Sequence, residues 1–420
     1  MFYLAVILFL VAYAIIVSER IHRTAVALAG GVLMVLLGIL NQEEAFEAID
    51  FNTIGLLIGM MIIVLITKKT GLFEYVAIRS AKLAKGEPVL IFIFFAVITA
   101  VFSALLDNVT TILLIAPVTF VIANNLRMNP LPLLITEIIM SNIGGTATLI
   151  GDPPNILIGS AAGLTFLDFV INLGPLILIL TPFVLFFLYL IYRKHLHTTK
   201  ERQQSIMAFD TSTSIKDKKL LIKSLIALGL TIVGFLVHGF LHLEPATVAL
   251  FGAALLLVIS DIHPEEILKE LEWTTILFFA GLFVLVAGIE HVGFIDVLAQ
   301  QLLNVTQGSP NAMIFSILWG SAIFSAFIDN IPFVATMIPL VHELGESGVN
   351  TQLLWWVLAI GADMGGNGTL VGASANLVGA GIAEKAGYKL TFRDFFKIGF
   401  SVMIITMVLS SAYIWIRYLF

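Results

Sequence analysis

The 420-residue chain contains no cysteine, which excludes a structural disulfide, a thiolate metal site and a cysteine nucleophile. Charge is the next shortage. Asp, Glu, Lys and Arg make up 12% of the chain, against roughly 25% in soluble domains, while 59% is hydrophobic. A mean hydropathy of +1.03 then places the chain among polytopic membrane proteins. The net charge of −6 is small for this length and leaves no basic face for nucleic acid. No nucleotide-binding loop occurs, so any ATP drive would come from a separate subunit. The apolar run 2–17 lacks a basic leader and a small-residue cleavage site, and it reads as a spanning helix, not a signal peptide.

What is present is a series of apolar runs that occurs twice. The first series holds runs at 2–17, 24–40 and 52–67, and an amphipathic piece at 71–83. It continues with two apolar arms in 88–125 around a polar tip, a broken run at 131–163 and a run at 172–192. The polar stretch His195–Lys219 follows, and then the series returns from 220 to 418. Ser103-Ala-Leu-Leu-Asp107-Asn108 matches Ser325-Ala-Phe-Ile-Asp329-Asn330 at an offset of 222 (325 − 103). Gly144-Gly-Thr-Ala-Thr-Leu-Ile-Gly151 matches Gly365-Gly-Asn-Gly-Thr-Leu-Val-Gly372 at an offset of 221 (365 − 144). Separate blocks that keep nearly one offset mark an internal duplication. The boundaries read as a first membrane repeat at 1–195, a linker at 196–219 and a second, inverted repeat at 220–420.

Loop charge orients the series. With the loop holding Arg20 and Arg23 inside and each two-armed segment counted as a re-entrant hairpin, each half crosses five times. Nearly every Lys and Arg then falls inside, and the outer loops 41–50, 161–171, 241–245, 290–311 and 342–350 contain none; only Arg417 falls outside. An odd number of crossings per half inverts the second copy relative to the first. Two full crossings per hairpin satisfy the charges equally, and the polarity of the tips favours re-entrance. The expected fold is therefore an all-α polytopic membrane protein of two inverted-topology repeats, each with five crossings, a re-entrant helical hairpin and a discontinuous helix. It sits in the cell membrane among lipid, with both termini extracytoplasmic and the linker cytoplasmic.

The stretch Asn142 to Asn155, N-I-G-G-T-A-T-L-I-G-D-P-P-N, is where chemistry concentrates. Gly144, Gly145 and Gly151 permit backbone angles that a helix does not use, and Pro153 and Pro154 remove two donors. A helix is predicted to stop near Gly144 and another to start near Pro153. Broken backbone at membrane depth survives only where protein or a wet cavity satisfies it, and transporters bind substrates and ions there. The hairpin tips add Asp107, Asn108, Thr110 and Thr111 from one half, and Asp329 and Asn330 from the other. The breaks add Asn142, Thr146, Thr148, Asp152 and Asn155, and then Asp363, Asn367, Thr369, Ser374 and Asn376. Carboxylates, amide carbonyls and hydroxyls of this kind suit a hard cation or a proton.

Asp107 and Asp329 are also good helix caps, yet a carboxylate in a spanning region costs roughly 2.5–3.5 kcal/mol, which favours an added coupling role. Asp152 aligns with Ala373, and Asp363 with Asn142, so each half carries an extra acid at a different place. That asymmetry separates a coupling site from a substrate site, with Asp107, Asp152, Asp329 and Asp363 as the proton- or sodium-coupling candidates. Glu137 reads as a packing, hydrogen-bonding or proton-relay group, His238, Glu290 and His291 as interfacial residues, and Trp355 and Trp356 as interface anchors. No Lys or Arg is expected in the core, which favours a cation, a neutral molecule, or an anion neutralised by its coupling ion.

The motifs Asp107-Asn-Val-Thr-Thr-Ile-Leu-Leu, Ser141 through Asn155, Asp329-Asn-Ile-Pro-Phe and Gly365 through Asn376 resemble the ion transporter superfamily. The resemblance is to the branch that holds arsenite permeases, D-type sodium/proton antiporters and the P protein, and it covers nearly the whole chain. It implies elevator-type alternating access in a homodimer, no organic cofactor, and H⁺ or Na⁺ as coupling ion. The expected function is arsenite/antimonite efflux, the cargo being a small inorganic ion or neutral oxyacid, with Na⁺/H⁺ antiport as the alternative. Without cysteine, arsenite would bind as the neutral trihydroxide. An anion channel and an intramembrane aspartyl protease using Asp107 and Asp329 are the rivals from other classes.

Overall fold

The computed structural model describes residues 1–18, 20–209, 211 and 213–420, and the described residues form helices and no strand. The first half gives α1 (Phe2–Ser18), α2 (Arg23–Leu36), α3 (Gln42–Glu47), α4 (Phe51–Lys69), α5 (Leu72–Leu83) and α6 (Pro88–Leu105). It continues with α7 (Asn108–Asn125), α8 (Leu131–Gly145), α9 (Pro153–Ala162), α10 (Phe166–Asn172) and α11 (Gly174–Tyr192). A short helix, α12 (Lys200–Met207), lies in the polar stretch, of which Asp210 and Ser212 fall outside the described residues. The second half gives α13 (Lys218–Val237), α14 (Pro245–Ser260), α15 (Pro264–Glu270), α16 (Trp273–His291) and α17 (Phe294–Thr306). Then come α18 (Pro310–Phe327), α19 (Asn330–Glu346), α20 (Gln352–Gly366), α21 (Ser374–Lys385) and α22 (Phe392–Ile414). By length and composition, eight helices of the described residues can cross a bilayer.

The offset of 222 carries α4 onto α16 and α6 onto α18 end to end (273 − 51 and 327 − 105). It also carries the proline inside α7, Pro117, onto Pro339 inside α19. The duplication is thus structural down to single kinks.

Two bodies follow from how the copies pack. In the first, two helix pairs join the halves: α2 lies on α16, and α4 on α14. Glycine makes this possible at two equivalent positions. A Cβ on Gly59 would lie 2.6 Å from the Ala249 backbone, and one on Gly281 would lie 2.6 Å from the Ala27 backbone. Small residues let membrane helices approach this closely, where dispersion replaces the missing hydrophobic drive. In the second body each hairpin packs on its own half's broken helix, α6 on α8 and α18 on α20. Here Gly144 meets the Ala100 backbone and Gly365 the Ala322 backbone.

The hairpins are re-entrant. An 18-residue helix such as α6 measures about 27 Å, so two fully crossing hairpins entering from opposite faces would leave their tips roughly 30 Å apart. Instead Asn108 and Asn330, from the two tips, both hydrogen-bond Asp152. Contacts between distant segments sort cleanly by side. Lys69 pairs with Glu266 at 3.3 Å, Tyr388 Oη meets Asn124 at 2.9 Å, and Lys82 donates to the Phe209 carbonyl at 2.7 Å, all on the linker side. On the opposite side Asn52 meets Ser160 at 3.1 Å, and Arg417 donates to the Ile171 carbonyl at 2.9 Å.

Three sequence expectations change. Trp355 and Trp356 are buried, Trp356 lying edge-on to Phe169, because α20 is enclosed within the second body and does not face the interface. His238 is also buried: Nε2 accepts from the Phe166 amide, so Nδ1 donates to the Leu243 carbonyl, tying two loops together. The third change concerns Arg23 and belongs to the site.

Candidate functional site

The breaks form where expected, and their backbone explains why. α8 ends at Gly145, where the chain turns back until Gly145 and Gly151 touch; a Cβ on Gly145 would lie 2.5 Å from the Gly151 carbonyl oxygen. α9 starts on Pro153 and Pro154, whose missing amides fall where a helix has no acceptor to offer. Staples hold each hairpin to its break. Ser103 donates to the Ser141 carbonyl and Thr148 to the Ala104 carbonyl, both at 2.6 Å. In the second half Ser325 donates to the Ala362 carbonyl at 2.6 Å, and Thr369 to the Ala326 carbonyl at 2.5 Å. Asn155 and Asn376 donate into their own breaks, to the Thr148 carbonyl at 3.0 Å and the Thr369 carbonyl at 2.8 Å. These four side chains from the candidate set therefore build the breaks first.

The centre joins both halves through one carboxylate. Asp152 occupies the cap position of α9 yet makes no capping bond. Its Oδ2 accepts from Asn108 Nδ2 at 2.7 Å, and its Oδ1 accepts from Asn330 Nδ2 at 3.3 Å. Asn108 also donates to Asn142 Oδ1 at 3.1 Å, and Asn142 donates to Asn367 Oδ1 at 3.1 Å and Asn376 Oδ1 at 3.0 Å. An amide relay thus runs from the two tips, through Asp152, into the opposite break. All of these residues are buried.

Asp363 differs. It is fully buried with the Thr146 and Asn155 side chains beside its carboxylate, and neither carboxylate oxygen makes a hydrogen bond of full geometry. Asn155 Oδ1 and Asn108 Oδ1 are likewise buried without a partner. A buried carboxylate so weakly compensated is costly. The oxygen set matches what a proton or a hard monovalent cation requires. Thr111 is buried with its hydroxyl unpartnered, while Thr110 supplies the amide that Asp107 caps at 2.7 Å.

A cavity of about 490 Å³ opens from the linker side, between the two bodies, and ends at the tip aspartates and the start of α9, with the buried relay behind its wall. It is lined by Asp107, Asp329, Glu272, Arg23, Pro153 and Ser374 among others. Arg23 corrects the expectation of a core without Lys or Arg. It opens α2, and one guanidinium nitrogen lies 2.9 Å from Asp329 Oδ2 and 2.7 Å from Ser374 Oγ, with the group 5.0 Å over the Phe278 ring. Ser374 in turn donates to Asp329 at 2.7 Å. Asp329 also caps α19 through the Ile331 amide at 3.1 Å. With Arg23, Ser374 and Ile331 as partners, Asp329 is not poised to share a proton with Asp107 as a protease dyad requires. The wall remains acidic, with Asp107, Glu272 and Asp329 against Arg23.

A second cavity, also about 490 Å³, lies on the opposite side. It is the repeat-exchanged image of the first: Asp50, Phe283, Ala335 and Leu157 line it, where Glu272, Met61, Leu113 and Val378 line its mate. Neither tip aspartate lines the second cavity. Glu137 lies apart from both, fully buried, accepting from Thr119 Oγ1 at 2.6 Å.

Of the candidate residues, the structure brings Asn108, Asn142, Asp152, Asn330, Asn367 and Asn376 into one hydrogen-bonded neighbourhood, with Asp363, Thr146 and Asn155 beside it. Arg23 and Tyr13, whose hydroxyl donates to the Pro332 carbonyl at 2.6 Å, join the site from outside the candidate set.

Comparison with known proteins agrees with this architecture. The family described as "Citrate transporter" matches residues 13–361. A "46 kDa membrane protein" of Mycobacterium leprae is 43% identical over 99% of this chain and 99% of its own. An uncharacterized transporter of Mycobacterium tuberculosis is 44% identical over 99% of this chain and 98% of its own. The human P protein is 36% identical over 96% of this chain, which spans 58% of that protein. In fold alone, the chain is similar to the YdaH transporter of Alcanivorax borkumensis, with a TM-score of 0.59 at 14% identity over 92% of this chain and 88% of that one.

Proposed function

Because the chain belongs to the citrate transporter family within the ion transporter superfamily, we propose that it is a proton- or sodium-coupled secondary active transporter working by alternating access. The observation that carries this reading is Asp363, a buried carboxylate that meets only the Thr146 and Asn155 side chains, without a hydrogen bond of full geometry, beside a centre assembled from both repeats. The coupling ion binds Asp363 and Asn155 Oδ1, and its arrival frees the second body to carry cargo past the first. Cargo enters from the linker side, which loop charge assigns to the cytoplasm. The two bodies move as an elevator in a homodimer, without any resident cofactor.

The cavity's acidic balance and its hydroxyls, Thr274, Thr275 and Ser374, suit a neutral oxyacid over a free anion, and arsenite or antimonite as trihydroxide is the first cargo. Efflux is its direction. A second reading is favoured by Arg23: a carboxylate such as citrate, entering with its neutralising cation, has one guanidinium to meet. Sodium/proton exchange without other cargo is the third outcome of the same experiment.

Proteoliposomes under an imposed proton or sodium gradient, given arsenite, magnesium citrate or neither, separate these cases. Gradient-driven arsenite movement that Asp363→Asn abolishes supports the first reading. Citrate movement supports the second, and sodium-triggered proton release alone supports exchange. Ohmic current without stoichiometric coupling would replace the transporter by a channel. Unaltered ion dependence in Asp363→Asn would remove the assignment of Asp363.

A further inference from the structure

The two repeats place equivalent elements around the two cavities, but the first body holds the two hairpins unequally. The second hairpin is gripped at two points. Arg23 binds Asp329 and Ser374 while resting on Phe278, and Tyr13 donates to the Pro332 carbonyl and meets Thr336 Oγ1 at 2.5 Å. The duplication tells what the image of this grip contains. At an offset of 222, Arg23 falls on Pro245, Tyr13 on Phe235 and Phe278 on Leu56. The flanking residues Thr24-Ala-Val-Ala-Leu28 and Ala246-Thr-Val-Ala-Leu250 align without a gap. In the image the cation, the hydroxyl and the ring are therefore all missing, although Asp107 stands where Asp329 does.

We propose that Arg23 and Tyr13 are positioning residues that clasp the second hairpin and make the conformation open on the linker side the resting one. This rests on the alternating-access reading above. If the opposite-facing conformation is the repeat-exchanged image of this one, the first hairpin meets a proline, a phenylalanine and a leucine there. A partly buried, charge-assisted pair is then lost without replacement. The bias is one-sided, and cargo or coupling-ion binding has to overcome it on each outward passage. Asp329 leaves Arg23 when that happens, so Arg23 belongs to the cycle without being the coupling site.

The absence of native cysteine gives a direct test. Single cysteines are placed in the two cavities, Met61→Cys on the linker side and Ala287→Cys on the opposite side, each partly exposed. Maleimide labelling rates are measured in nanodiscs, where both faces are accessible. Tyr13→Phe and Arg23→Gln, singly and together, are expected to raise the Ala287→Cys to Met61→Cys rate ratio at least about fivefold, with Arg23→Lys between parent and Arg23→Gln. Tyr13→Phe installs the residue the other repeat already carries, so it tests the clasp even if Arg23→Gln fails to fold. A ratio unchanged within about twofold in folded variants overturns the clasp. If cargo raises the ratio but the clasp variants leave it unchanged, the clasp alone falls. If the ratio stays fixed in every variant and under every gradient, with and without cargo, alternating access falls with it.

Discussion

Asp152→Asn tests the centre with the smallest change of shape. The carboxylate accepts from two amides on opposite hairpins, and an asparagine offers one oxygen and one NH₂ in the same space. One tip keeps a neutral bond, and the other faces a donor with a donor. A hydrogen bond to a charged group contributes about 1.5–3 kcal/mol, and an unmet buried donor costs about 1–3 kcal/mol. Polar bonds between membrane helices average only about 0.6 kcal/mol, because lipid-exposed alternatives find other partners. That discount is weak here, since Asn108 and Asn330 are almost wholly buried. We therefore expect a loss of about 2–4 kcal/mol in tip-to-tip association, or roughly 30- to 800-fold in its equilibrium constant. Thermal unfolding in detergent reads the stability, and gradient-driven uptake in proteoliposomes reads the function. Asp152→Ala provides the control for shape, because the other repeat already carries alanine at this position, Ala373. It should fold, losing transport but avoiding the donor clash. An Asp152→Asn protein with parental melting and parental uptake would refute the claim that one carboxylate joins the hairpins.

Two further outcomes follow from geometry away from the relay. In Gly365→Ala the new methyl would lie 2.5 Å from the Ala322 carbonyl oxygen, so α18 and α20 must separate; a stability loss of about 1–3 kcal/mol is expected by thermal melting. Gly381→Ala, with nothing within 4 Å of its Cβ, should instead be neutral or stabilise α21 by up to about 1 kcal/mol. At the surface, Lys223 lies 2.6 Å from Asp261 and holds its carboxyl below the ordinary range. A depressed carboxyl stabilises above its unfolded pKa and loses that contribution as pH falls through the folded value. Asp261→Asn should therefore melt slightly below the parent at pH 7, approach it as pH falls below the ordinary aspartate range and through the depressed folded value, and match it in 1 M salt.

Local chemistry made much of this legible in the sequence. Glycine and proline mark the end of α8 and the start of α9 within a residue or two, because those backbone limits act where they are written. The duplication supplied topology, and the tip polarity pointed to re-entrance. What stayed hidden is long-range. Arg23 is 306 positions from Asp329, and only the packing of α2 against α16 brings it to the tip. Its position at the edge of an apolar run read as loop charge. A usable signal existed: comparing Arg23 with its mate Pro245 shows the kind of asymmetry that singled out Asp152 and Asp363. The role of Thr148 and Thr369 was blurred for another reason. A hydroxyl that staples backbone and one that binds an ion look alike until the carbonyl it meets is known. Trp355 and Trp356 misled because aromatic residues at a helix start also occur inside a helical bundle.

The crossed pairing of α2 with α16 and α4 with α14 also imposes an order on biosynthesis. α4 is complete at Lys69, but its partner α14 is complete only at Ser260. At about 5–20 residues per second, roughly 10–40 s of translation separate the two. Through that interval the newborn α2 and α4 present their small-residue faces, including Gly59, to lipid or to the insertion machinery. The first half emerges from the ribosome with its hairpin and break able to find each other, yet with no frame to slide against. That frame exists only when the second half has been threaded into the bilayer upside down.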